Sequence, residues 1–126
     1  MREEVKNWFL QAQKDLKASK NSLKSGDFEW ASFQAHQAAE KALKAYYIFK
    51  KKKPFLGHNL IKLGKELNLK EKFLEILQDL NPDYTLSRYP DAANGLPFEI
   101  YSYEKAKTKI ANVEEILKWI EKRFRK

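Results

Sequence analysis

Near the start of the chain the apolar positions are Val5, Phe9, Ala12, Leu16 and Leu23, with Ser19 in the same register, and the steps alternate between four and three. That spacing lines one face of a helix and predicts one over residues 2–24. Ser25-Gly26-Asp27 supplies a glycine able to take the left-handed stop conformation and an aspartate suited to cap the next helix. A second stripe reads Phe28, Ala31, Ala35, Ala38, Ala42, Ala45 and Phe49. Five of its seven positions are alanine, so a neighbouring helix can approach closely. Beside the alanine seam run Phe33, His36, Gln37, Glu40, Lys44 and Tyr47, a polar edge where any site on this helix belongs.

The four lysines Lys50–Lys53 and then Pro54 end the second helix, because like charges repel and proline pushes the preceding residue out of helical geometry. Leu60, Leu63 and Leu67 predict a short third helix, and Phe73, Leu74, Leu77 and Leu80 a short fourth, with the break near Asn68. Asn81-Pro82 stops the fourth. From Asn81 to Ser102 the chain holds three of its four prolines and reads as an ordered loop of unusual length, a kind that is often functional. Ser102 can cap a last helix with the stripe Tyr103, Ala106, Ile110, Val113, Leu117, Ile120 and Phe124, ending in the basic tail Lys122-Arg123-Phe124-Arg125-Lys126. The fold class expected is all-α: one domain over residues 1–126, an up-and-down antiparallel bundle of three long helices with two short ones as a composite arm.

Composition narrows the function. There is no cysteine, which excludes disulfides, thiolate metal sites and a cysteine nucleophile, and favours a cytoplasmic protein. No apolar run approaches the ~18 residues of a membrane span, so no membrane association is expected. Twenty-five basic against 17 acidic residues give a net charge of +8, which suits a polyanionic partner such as nucleotide or RNA; the plainer reading is lysines that solvate helix faces.

Three segments then stand in a telling order: Phe33-Gln34-Ala35-His36-Gln37-Ala38-Ala39-Glu40-Lys41-Ala42-Leu43-Lys44-Ala45, Gly57-His58-Asn59-Leu60 with Leu63, and Ser87-Arg88-Tyr89-Pro90-Asp91. With Ala12, Asp15-Leu16 and Ala18 early and Tyr103 and Ala106 late, the chain resembles the HEPN domain family over nearly its whole length. The resemblance implies a helical bundle that often forms a homodimer, found in prokaryotes beside minimal nucleotidyltransferases in toxin–antitoxin-like pairs. In many branches of the family it implies a metal-independent ribonuclease. Those branches share an arginine followed four to six residues later by histidine. At such distances after Arg88 stand Ala92, Ala93 and Asn94, with Gly95 next, and no histidine follows His58. The chain is therefore similar to the non-nuclease members, for which nucleotide binding or a nucleotidyltransferase partner is implied.

Each candidate has two readings. Arg88, between Pro82 and Pro97, can present a rigid fork to phosphate, or pair with Glu40 or Asp91 to lock the loop onto the bundle. Tyr89 can stack on a base or serve as a buried anchor, and Asp91 suits a turn. His58 can cap the third helix, fill a polar pocket, or serve as a nucleotide-binding or catalytic residue. His36 precedes Glu40 by one turn and suits a solvated or hydrogen-bonded pair. Gln37, Glu40 and Lys44 line one face, with Lys44 for phosphate and Gln37 for a base edge or ribose, or all three as a network in a dimer seam. Two histidines on separate elements make no zinc motif, so neither metal nor cofactor is expected. Trp8, Trp30 and Trp119 suit core or interface, and an exposed Trp30 would favour an oligomer contact. Three functions remain: a nucleotide- or RNA-binding homodimer partnering a nucleotidyltransferase, a divergent ribonuclease in which His58 serves beside Arg88, and a structural dimer with no small-molecule site.

Overall fold

The computed structural model describes residues 1–125; Lys126, the end of the basic tail, lies outside them. In chain order the helices are α1 (Glu3–Ser25), α2 (Phe28–Lys51), α3 (Leu60–Glu66), α4 (Glu71–Leu80), α5 (Asp83–Leu86), α6 (Pro90–Ala93), α7 (Pro97–Ile100) and α8 (Tyr103–Phe124). No strand occurs among the described residues. The three long helices and the α3–α4 arm are those the apolar stripes predict.

Gly26 turns the chain between α1 and α2 at φ 84°, and its N–H donates to the Leu23 carbonyl. Asp27 occupies the cap position of α2, but its side chain makes no capping bond, contrary to the sequence expectation. The alanine stripe is completely buried from Ala31 through Ala45, where α1 and α8 close on α2. Ser19 explains its place in an apolar stripe: its hydroxyl donates to the Ala31 carbonyl at 2.6 Å, which satisfies a buried polar atom across the seam. The α8 stripe (Ala106, Ile110, Val113, Leu117, Ile120) completes the core.

In the arm, Gly64 of α3 lets the Leu77 side chain of α4 lie where a Cβ would stand 2.6 Å away. Asn68 at φ 54° makes the break between the two helices. The Asn81 side chain accepts from the Leu60 N–H at 2.9 Å, tying the end of α4 to the start of α3. Ser102 caps α8, accepting from the Lys105 N–H at 3.2 Å.

The stretch from Asn81 to Ser102 departs from its reading as a loop, for it contains α5, α6 and α7. Pro90 and Pro97 each stand in the first turn of a helix, where the missing N–H has no helical partner to lose. Four-residue helices are too short to show an apolar stripe, so the prolines looked like breakers when they are starters. A buried cluster fixes the segment. Asp83 accepts from the Tyr101 hydroxyl and pairs with Lys109 Nζ at 2.8 Å, while the Ser87 hydroxyl donates to the Asp83 carbonyl at 2.6 Å. Burial pushes the Asp83 carboxyl above its ordinary value, with Lys109 opposing, and burial pushes the Tyr101 hydroxyl up as well.

Candidate functional site

The polar edge of α2 faces the loop before α3 and the one-turn helix α5. Glu40 lies at the centre and is 3% exposed. Its Oε2 receives His58 Nδ1 at 2.7 Å and Lys44 Nζ at 2.9 Å, so a buried carboxylate is matched by an ammonium and an imidazole N–H. Its Oε1 has no hydrogen-bond partner, and His36 Nδ1 stands 3.8 Å from it.

His36 is completely buried, and of the solvated or hydrogen-bonded pair with Glu40 that the sequence suggested it forms neither, its Nδ1 standing 3.8 Å from Glu40 Oε1. It bonds its neighbour instead, with Nδ1 3.2 Å from Gln37 Oε1. Burial lowers its pKa to about 4, against the opposing pull of Glu40, so the ring is neutral at pH 7. With Gln37 Oε1 as acceptor, Nδ1 carries the proton, and Nε2 is left buried without a partner.

His58 does not cap α3; that role falls to Asn59, which accepts from the Lys62 N–H at 3.1 Å. The His58 ring is half-exposed and lies flat on Tyr84, centroid to centroid 4.4 Å at 18°. With Nδ1 held by Glu40, Nε2 is the nitrogen left for a ligand.

Tyr84 is the residue that sequence reasoning missed. Its backbone carbonyl accepts from Arg88 Nε at 2.8 Å and Nη2 at 2.6 Å, and its ring meets His58, His36 and Phe33. The bond joins residues one helical turn apart, a signal hidden while the segment read as loop. Arg88 pairs with neither Glu40 nor Asp91. Its guanidinium packs against Phe33, Tyr84 and Tyr89, with Cζ 4.5, 4.7 and 4.8 Å from the ring centroids. Tyr89 is exposed rather than a buried anchor, and shields one side of Arg88. Asp91 lies exposed in the first turn of α6.

The fold thus gathers Arg88, Tyr89 and His58 around Tyr84, with Glu40 behind His58 and Gln37 joined through His36. Lys44 sits at the inner edge, 7% exposed, paired with Glu40 and 5.5 Å from the Trp8 ring. Trp8 and Trp119 pack on the core, and Trp30 is 47% exposed with its ring against Phe33. Among the described residues no group of three or more His, Asp or Glu is placed to hold a metal ion, and no helix is long and apolar enough to cross a membrane.

The family model of the HEPN domain matches residues 5–123. Solved structures agree over almost the full length. TT1696 from Thermus thermophilus is 29% identical with a TM-score of 0.89, covering 96% of this chain and 98% of that one. ST0689, an archaeal HEPN homologue, is 31% identical with a TM-score of 0.80, covering 97% and 98%. A HEPN domain protein of Thermotoga maritima is 25% identical with a TM-score of 0.76, covering 95% and 98%. No functionally curated protein matches the chain.

Proposed function

Because the chain belongs to the HEPN domain family, we propose that its Arg88–Tyr84–His58 face binds the phosphate of a nucleotide or RNA, as one member of a pair with a minimal nucleotidyltransferase. One observation carries this reading. Arg88 is held by a carbonyl and three aromatic rings, and among the described residues no carboxylate pairs with it. A cation fixed in this way has its geometry set in advance and its charge unanswered, which suits an incoming phosphate. Nε and one N–H of Nη2 are taken by the Tyr84 carbonyl, so the two N–H groups of Nη1 and the second of Nη2 are left to reach the anion. His58 Nε2 supplies a second polar contact, Tyr89 a ring for a base, and Gln37 an amide at the rim. Lys44 acts through Glu40, balancing the carboxylate that orients His58. The exposed Trp30 adjoins Phe33, so a second copy of the chain docked on Trp30 borders the site, in keeping with a homodimer.

Calorimetric titration with adenine and guanine nucleotides at two salt concentrations tests the proposal. Saturable binding that weakens with salt and disappears in Arg88→Ala is the expected result. Flat traces for the wild type leave the helical dimer as a protein-binding element.

A second reading draws on the Glu40–His58 bond. A carboxylate fixing one imidazole nitrogen leaves the other able to take a proton from a ribose 2′-hydroxyl, whose oxygen then attacks phosphorus as the 5′-oxygen leaves with a proton from water. Arg88 would hold the phosphate in a divergent ribonuclease. Full RNA turnover by His58→Ala ends that reading.

A further inference from the structure

The opposite end of the bundle carries cations that the Arg88 site does not use. α2 and α8 run parallel: Phe28 meets Tyr103 at their starts and Phe49 meets Phe124 at their ends, with centroids 6.0 and 5.2 Å apart. Their C-termini therefore lie side by side, bringing Lys50, Lys51, Lys52 and Lys53 to the same end as Lys122, Arg123 and Arg125. Two helix C-termini present about one negative charge between them, which one or two cations satisfy. The rest are in excess. Among the described residues only Arg125 of this group pairs with a carboxylate, Glu121 at 3.8 Å.

Three of the others rest on aromatic faces: Arg123 over Trp119 at 4.3 Å, Lys52 over Phe49 at 5.4 Å and Lys50 over Tyr46 at 6.0 Å. A concavity of about 300 Å³ opens between them, lined by Lys50, Lys51 and Arg123 with Tyr46 and Trp119; its one carboxylate, Glu66, accepts from the Tyr47 hydroxyl at 3.2 Å. Lys52 ends α2 at φ 63°, a left-handed conformation in which glycine is at ease and lysine is strained. A charged side chain is thus kept where the backbone favours none.

We propose that the joined ends of α2 and α8 form a second phosphate-binding surface, made by Lys50, Lys51, Lys52 and Arg123, for the backbone of an RNA strand. The cations are spread over two helix ends instead of converging on one point, which fits successive phosphodiesters better than a mononucleotide. The aromatic rings are already covered by cations, so contact is to backbone and independent of base identity. This surface lies roughly 25 Å from the Arg88 site, taking about 1.5 Å of rise per residue along α2 from Phe33 to Lys50, and it does not depend on that site.

The test is fluorescence anisotropy of a labelled single-stranded RNA titrated with protein over a range of salt. The combined variant Lys50→Gln, Lys51→Gln and Arg123→Gln is expected to bind at least about tenfold more weakly at low salt. Its slope of log K against log salt should flatten by about 2, because each phosphate contact on a single strand contributes about 0.7. The same loss is expected when the three changes are made in Arg88→Ala, which separates this surface from the nucleotide site. Lys52→Gly guards against misfolding: it should raise Tm and still weaken RNA binding. Unchanged affinity and slope in the combined variant, full RNA affinity in Lys52→Gly, or binding to anionic lipid vesicles with none to RNA overturns the proposal.

Discussion

Arg88 folds back one helical turn onto Tyr84, donating Nε and Nη2 to its carbonyl while lying 4.7 Å from the ring of the same residue. The backbone of Tyr84 thus aims the guanidinium and its side chain shelves it. Tyr84→Leu keeps the carbonyl and removes the ring, also stripping His58 of its stacking partner. Loss of a partly desolvated cation–π contact of about 1–2 kcal/mol predicts nucleotide binding roughly tenfold weaker, whereas Tyr84→Phe retains it. Calorimetry on both variants checks this.

Glu40 and Lys44 are both buried, and removing one partner strands the other. Glu40→Gln is expected to destabilise the fold by about 3–5 kcal/mol, most of which Lys44→Met recovers when the two are combined. Denaturant unfolding of the two single variants and the double gives the coupling. Additive effects would mean that the pair is not coupled.

His36 makes stability depend on pH. Its folded pKa, about 4, lies below the ordinary value of 6.5, so the unfolded chain takes up a proton first as pH falls. The stabilising contribution of the neutral ring is complete above pH 6.5 and is lost progressively toward pH 4, amounting to roughly 3 kcal/mol. Urea midpoints measured between these limits should fall with pH in the wild type. In His36→Gln that portion of the slope should vanish, even though the variant is less stable throughout.

Gly64 is a packing residue. A Cβ there meets Leu77 Cδ1 at 2.6 Å and Leu74 Cδ2 at 3.0 Å, and Leu77 is fully buried. Gly64→Ala gains helix propensity of about 1 kcal/mol but overpacks the α3–α4 contact, with a net loss of about 1–2 kcal/mol. A thermal melt that rises would show that Leu77 repacks freely.

The three long helices and the arm were legible because each has a face of regular three-four spacing long enough to register. The candidate site was legible in part. Glu40, His58 and Arg88 stand out by residue type, but their relations come from the fold. The Glu40–His58 bond joins α2 to the loop after it, and no spacing in the chain announces that contact. Arg88 could not be separated from an ion pair with Glu40 or Asp91 while its segment read as loop, because its true acceptor is a backbone carbonyl exposed by the short helix α5. Tyr84 was hidden for the same reason, and burial of His36 and Lys44 was invisible because they share a flank of α2 with the polar Gln37 and Glu40.

Asp83 and Tyr101 close the segment that holds Arg88, one residue near each end, and Lys109 of α8 clamps the closure. Its three one-turn helices are too short to persist alone, so the clasp is expected to hold or release the stretch as a whole. On the proposed reading, a ligand gripped by Arg88 would draw its binding energy partly through this clasp, and a change at Lys109 that touches no ligand would be felt as weakened affinity.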